Sequence, residues 1–256
     1  FFMFDGTVKT IPSLVEDFVF TTSGTNLGYN VSANQIAYAY YNSLYNEIGW
    51  FYAKSGSTQI DRTVVYNYAE QAWTTGSLSR TTYQDAVTYG DPYATEYLTT
   101  TTPTFPVVNG VTNTFGATKY WSMETGVNEV DASGNATVIA SFIQSGDYDI
   151  VNTNNGADLR GGGEDIMRVS RFIPDFKNLQ GNAKVTMFFR NYPNEAKASD
   201  PNGPLITGPF TCTTTTDFVS TRVRGRQVSL KIENDAVNES WRFGTLRLDV
   251  KAGGRR

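Results

Sequence analysis

Apolar and polar side chains alternate along this chain, and no window of 12 or more residues keeps a 3.6-residue period. Val185, Met187 and Phe189 alternate with Thr186, Phe188 and Arg190, and Ile36-Ala37-Tyr38-Ala39-Tyr40 alternates large with small. A period of two puts successive side chains on opposite faces of a strand. The abundance of Thr, Tyr, Val and Phe fits this, because β-branched and aromatic side chains suit a pleated surface. The expectation is an all-β fold of antiparallel sheets. With 39% hydrophobic and 14% aromatic residues the chain has enough apolar material for a packed core, which excludes compositional disorder. Its 256 residues suit one large β unit or two smaller domains. No run approaches the ~18 to 20 apolar residues of a membrane helix, so no membrane insertion is expected. The opening Phe1-Phe2-Met3-Phe4-Asp5 lacks an initiator Met and a basic leader, and reads as a fragment or processed product.

Two C-terminal runs change phase partway. Val219, Thr221 and Val223 share one face and Val228, Leu230 and Ile232 the next parity, so a one-residue shift is needed near Gly225. Trp241 and Phe243 are out of phase with Leu246, Leu248 and Val250, with Gly244 between. A bulge at each glycine is the simplest cause. Joined by the turn-like stretch 234–238, the two runs read as one long bent hairpin, part of a β-sandwich-like C-terminal region. Upstream, Ile48–Tyr52, Thr63–Tyr68 and Ala72–Gly76 read as successive strands with a turn at Ala69-Glu70-Gln71. Strand, Asn, turn, Trp and Gly is the cadence of a kelch-like propeller blade, in which Trp73 would pack between sheets. Lys119–Met123 and Thr137–Ile143 suggest a degenerate second blade. Loops are expected at 99–106, 147–165 and 192–209.

The net charge of −4 is unevenly placed. Residues 1 to 159 carry five cations against fifteen acids, and 160 to 256 carry sixteen against ten, so the halves stand at −10 and +6. A division into 1–160, an acidic propeller-like region, and 161–256, a basic β region of its own or the closure of the same propeller, follows from that change of sign. The basic half concentrates Arg222, Arg224 and Arg226 at alternate positions and ends in Arg255-Arg256. These five are the candidate residues for a subunit interface or a nucleic-acid channel, since arginine suits both carboxylates and phosphates.

The chain contains no His and one Cys. A Ser-His-Asp triad and a His-ligated zinc are therefore excluded within it, and no internal disulfide forms. Cys212, beside Thr213–Thr216, is expected to be buried or interfacial, with no imidazole to activate it. The oxygen-rich stretch Asp147, Asp149, Asn152, Asn154, Asn155, Asp158, Glu164 and Asp165 lacks EF-hand spacing and suits turns, so no metal is expected there. Gly161-Gly162-Gly163 lacks the Lys-Ser/Thr of a phosphate loop. Glycoside cleavage needs only two carboxylates, and Glu47 near Trp50 and Tyr52, or Asp61 near Tyr66, keeps that chemistry open beside plain sugar binding.

Several of these stretches together carry a resemblance. Asn46–Tyr52, Ile60–Tyr68 and Trp73–Thr81, followed by Thr221–Gln227, Trp241–Asp249 and the ending Gly253-Gly254-Arg255-Arg256, resemble the tail hub or nozzle proteins of short-tailed bacteriophages, also called packaged-DNA stabilisation proteins, in their C-terminal portion. The resemblance covers most of 45 to 85 and 165 to 256. It implies a propeller-bearing structural subunit of the virion tail, made in the host cytoplasm. Such subunits form a ring, six-fold in most cases, below the portal, contacting the adaptor, other tail proteins and passing double-stranded DNA without sequence specificity. It also implies no catalytic residues and no cofactor. The alternative is a carbohydrate-binding or glycoside-cleaving β-protein.

Overall fold

The computed structural model describes residues 1–87, 90–98, 117–131, 133–153, 156–158, 165–192, 205–245 and 247–254. The chain is all-β, built of antiparallel sheets with two short helical segments among the described residues. It forms two compact units, Phe1–Thr125 and Gly126–Arg256.

The first unit opens with a hairpin of β1 (Phe2–Phe4) and β2 (Val8–Thr10), then a helix α1 (Glu16–Phe20) and a 3₁₀ segment Val31–Ile36. The 3₁₀ turn takes Ile36 out of the alternating run expected from 36 to 40. Asn30 caps it by accepting from the Ser32 N–H at 3.0 Å, a side-chain bond that competes with strand pairing. A four-stranded antiparallel meander follows: β3 (Tyr38–Asn42), β4 (Glu47–Tyr52), β5 (Arg62–Asn67) and β6 (Ala72–Gly76). This is the blade-like sheet that the strand cadence predicts. Its β5–β6 turn is fixed by the Asn67 side chain, which accepts from the backbone N–H groups of Ala69 and Glu70. A three-stranded sheet comes next, from β7 (Thr82–Gln84), β8 (Tyr93–Leu98) and β9 (Ala117–Ser122).

One face of the meander buries Tyr52 and Val64 against Val19 of α1, with Phe1, Trp50 and Trp73 around them. Trp73 thus packs on the N-terminal arm: its ring centroid is 4.4 Å from that of Phe1, and Nε1 donates to the Pro12 carbonyl at 2.9 Å. The other face carries Tyr40, stacked on Phe51 at 4.5 Å and meeting Tyr83 of β7 at 4.6 Å.

The second unit begins with a small hairpin, β10 (Asn128–Val130) and β11 (Ala136–Val138). Then come β12 (Ser141–Gln144), β13 (Tyr148–Asp149), β14 (Val151–Thr153), β15 (Gly156–Asp158), β16 (Met167–Ile173), β17 (Phe176–Gln180) and β18 (Ala183–Arg190). The chain continues through β19 (Leu205–Cys212), β20 (Val219–Gly225), β21 (Gln227–Asn234), β22 (Ser240–Phe243) and β23 (Arg247–Ala252). β21 and β18 are central in one sheet, ordered β12-β21-β18-β19 with β13 also on β21, and β16 is central in the other, ordered β20-β16-β23. Their inward side chains make one core: Met167, Val169 and Phe172 from β16, Val185, Met187 and Phe189 from β18, Val228, Leu230 and Ile232 from β21. That is a β-sandwich, as expected.

Several expectations need correction. β12 and β13 pair with β21, so residues from 126 onward belong to the second unit and the expected division at 160 falls inside it. For the same reason Lys119–Met123 and Thr137–Ile143 form no common blade: β9 pairs with β8, β11 with β10 and β12 with β21. The loop expected at 147–165 contains β13, β14 and β15, and residues from Leu205 onward of the loop expected at 192–209 belong to β19; 99–106, 159–164 with Gly161-Gly162-Gly163, and 193–204 lie outside the described residues.

The phase shifts at Gly225 and Gly244 are present, but the two runs do not pair with each other. At Gly225 the chain leaves the β16 sheet and enters the β18 sheet, with the Arg226 N–H donating to the Arg190 carbonyl at 2.8 Å. The corner is tight at Gly225, where a Cβ would stand 3.1 Å from Phe189 Cβ and 3.2 Å from the Arg190 carbonyl oxygen. The long bent antiparallel pair is instead β16–β17 with β23–β22, bending where the Gly244 and Thr245 N–H groups donate to the Asp175 carbonyl and carboxylate. Alternation tells a strand's faces apart without naming its neighbour. No helix among the described residues is long and apolar enough to cross a membrane.

Candidate functional site

Because Met167, Val169 and Phe172 turn inward, the residues between them on β16 turn outward, and the neighbouring strands follow. Register then sets Arg168 directly between Arg224 on β20 and Lys251 on β23. A bulge between Val169 and Arg171 shifts the pairing, so that Arg171 stands opposite Ser220 and Asp249. Arg222 sits at this irregularity with φ of 56°, in the left-handed region uncommon for a non-glycine residue. Neighbouring strands lie ~4.8 Å apart, so the Arg224–Arg168–Lys251 row spans roughly 10 Å.

Arg168, Arg171, Arg222 and Lys251 line an open groove of about 710 Å³ with Phe218, and Arg224 adjoins it by register. Arg171 is neutralised: its guanidinium pairs with Asp249 and lies 5.4 Å over the Phe218 ring. Arg247, at the end of the same face, reaches Asp175 at 3.6 Å. Among the described residues no carboxylate pairs with Arg168, Arg222, Arg224 or Lys251. Like charges directly opposite each other on neighbouring strands are destabilising, so this row repels itself unless an anion lies over it.

Of the five arginines expected from the sequence, the structure places Arg222 and Arg224 on this face. Arg226 is not in their row, because the chain crosses to the other sheet at Gly225 and the alternation stops there. Arg255 and Arg256 lie outside the described residues. Arg168 and Lys251 were not anticipated as partners. Each is legible as an outward position, in Met167-Arg168-Val169 and Val250-Lys251-Ala252, but only the register joins them.

The first unit holds a second polar cluster. The side chain of Asn42, 1% exposed, donates to Glu47 Oε2 at 3.3 Å and to Glu124 Oε1 at 3.2 Å, so one amide bridges two carboxyls. Burial, then the charge of Glu124, holds the Glu47 carboxyl above its ordinary range; burial likewise raises Glu124 against the opposing Asn42 bond. Tyr40 nearby is pushed up to about 12 by burial. An acid whose folded pKa exceeds its unfolded one gives stability that is full below the unfolded value and is lost as pH rises through the folded value. Glu124→Gln therefore raises the thermal midpoint at about pH 8, and the gain over the native chain disappears toward about pH 4. Differential scanning fluorimetry across that range checks it, and a gain that grows on acidification contradicts the raised carboxyls.

The other expected groups have ordinary structural roles. Asp61 accepts from the Lys54 backbone N–H at 2.9 Å and pairs with its ammonium at 3.1 Å. Asp147 pairs with Arg190 at 2.9 Å, and Asp165 is 2% exposed. Of the oxygen-rich stretch, Asn154, Asn155 and Glu164 lie outside the described residues, among which no group of three or more His, Cys, Asp or Glu is placed to hold a metal. Cys212 is fully buried in the sandwich core, and burial pushes its thiol up to about 11. Neither a family model nor a curated protein matches the chain.

Proposed function

We propose that this chain is a structural subunit of a short-tailed phage tail, forming a ring around the channel through which DNA leaves. The observation that carries the reading is the meander of the first unit. The three N-terminal stretches on which the resemblance rests, Asn46–Tyr52, Ile60–Tyr68 and Trp73–Thr81, supply its consecutive strands β4, β5 and β6. An antiparallel sheet of four sequential strands is the unit from which propellers are built. The sandwich with one basic face supports the same reading, because a ring around DNA needs phosphate contact without base readout.

The second reading, a glycoside-cleaving protein, draws on the two carboxyls of Glu47 and Glu124. The Asn42 amide lies between them, where a glycosidic oxygen would have to stand, and this favours the structural role. Electron microscopy of the purified chain and of particles decides between them: rings and presence in particles are expected, and a monomer absent from particles overturns the proposal. Release of reducing sugar from a polysaccharide panel, abolished by Glu47→Gln, would establish the second reading instead.

A further inference from the structure

We propose that the outward face of the β20-β16-β23 sheet is the surface that contacts the sugar-phosphate backbone of double-stranded DNA, through Arg168, Arg222, Arg224 and Lys251. The identity of the polyanion rests on the tail-subunit reading; the face itself rests on the geometry. Four exposed cations without carboxylate partners among the described residues are gathered from three strands, three of them in one cross-strand row. A row of like charge is unfavourable alone and becomes favourable when a polyanion supplies the counter-charge.

Duplex DNA carries one negative charge per ~1.7 Å of axis, so a row of roughly 10 Å meets several phosphates at once. The broad face of a three-stranded sheet is not the helix or two-stranded ribbon that enters a major groove, so this contact follows the backbone and leaves bases unread. Single strands are held by aromatic platforms on which bases stack. On this face the exposed Phe218 ring is occupied by the Arg171 guanidinium, which removes such a platform. A surface that grips phosphates without register lets DNA slide, as a channel requires.

The test is fluorescence anisotropy of the whole purified chain with a labelled 30-base-pair duplex over a salt series. Four phosphate contacts predict a slope of log affinity against log salt of about −3.6. Arg168→Ala and Lys251→Ala each make it shallower by about one, regardless of duplex sequence. Arg168→Glu with Arg224→Glu and Lys251→Glu weakens binding at least tenfold at about 50 mM salt. Lys177→Glu, an exposed cation on β17 away from the row, leaves the slope unchanged. Melting curves of the variants stay near that of the native chain because all four substituted positions are exposed.

Equal slopes for the face variants and Lys177→Glu would overturn the assignment, as would tighter binding to single strands, to heparin or to phosphatidylserine vesicles than to duplex. Ring formation is examined on the same samples. Rings together with undiminished duplex binding by the triple variant would overturn the face alone. An unaltered chain that forms no rings and binds no duplex would overturn the tail reading with it.

Discussion

Phe172→Ala lowers the stability of the C-terminal unit by about 3–5 kcal/mol, the usual loss for a buried phenylalanine. The side chain is 1% exposed, on the central strand of its sheet, opposite Val219 and Leu248 in register and 5.8 Å from the Phe210 ring. Removing it opens a cavity between two sheets, each stiffened by its own ladder of hydrogen bonds, so collapse is limited and the cavity cost is added to the lost transfer energy. Phe172→Leu keeps much of the volume and costs less, about 1–1.5 kcal/mol. Hydrogen exchange of the β18 and β21 amides reads the effect locally, because Val185, Met187 and Leu230 share that core. Exchange in those strands that stays at the native rate after Phe172→Ala would contradict the packing of the two sheets around this ring.

How much of this was legible beforehand depends on the range of the interaction. Val185, Met187 and Phe189 announce a strand with an inward face, and they are 3%, 0% and 1% exposed. The breaks at Gly225 and Gly244 are equally local, because a parity change within ten residues is visible without knowing any partner. What the alternation cannot carry is which strand lies alongside. The hairpin expected from residues 218 to 250 resolved into strands that pair with β16, β17 and β18, as the change of parity at Gly225 marks a crossing between sheets rather than a bulge.

The same limit applied to the site. Arg222 and Arg224 are legible because they are near in sequence, and Arg226 leaves their row because the alternation ends at the Gly225 corner. Arg168 and Lys251 lie 83 positions apart and meet only through β16–β23 pairing. Glu124 is not legible for a related reason: nothing near it in sequence points to Glu47, and the two meet through the Asn42 amide. The charge sign change, by contrast, was a sound guide to where the basic face lies and a poor one to where the chain divides. Net charge tracks surface, whereas a division follows which strands share a sheet.

The first unit offers the other large effect, at Gly49. This residue stands opposite Tyr40 in the β3–β4 register, and the tyrosine ring lies over it: a Cβ there would come within 2.3 Å of Tyr40 Cε1 and Cζ. Glycine in a strand ordinarily weakens it, but an aromatic partner folded across the bare backbone restores the lost contact. Gly49→Ala must expel the ring, and with it the Phe51 stack at 4.5 Å and the Tyr83 contact at 4.6 Å, while the Tyr40 hydroxyl leaves its place 3.5 Å from Thr63 Oγ1. The expected loss is about 2–3 kcal/mol, the upper range of overpacking, although alanine itself suits a strand at least as well as glycine. Tyr40→Ala alone is also destabilising, since it bares the Gly49 backbone and strips Phe51. The two losses arise from one contact, so Gly49→Ala with Tyr40→Ala costs less than their sum by at least about 1 kcal/mol. Denaturant unfolding of the two single variants and the double variant measures that difference, and strict additivity would mean that Tyr40 does not lie across Gly49. The position also explains why a strand reading Glu-Ile-Gly-Trp-Phe-Tyr tolerates a glycine at its centre: the vacancy left by the missing side chain is the seat of the aromatic ring that meets Tyr83 of the next sheet.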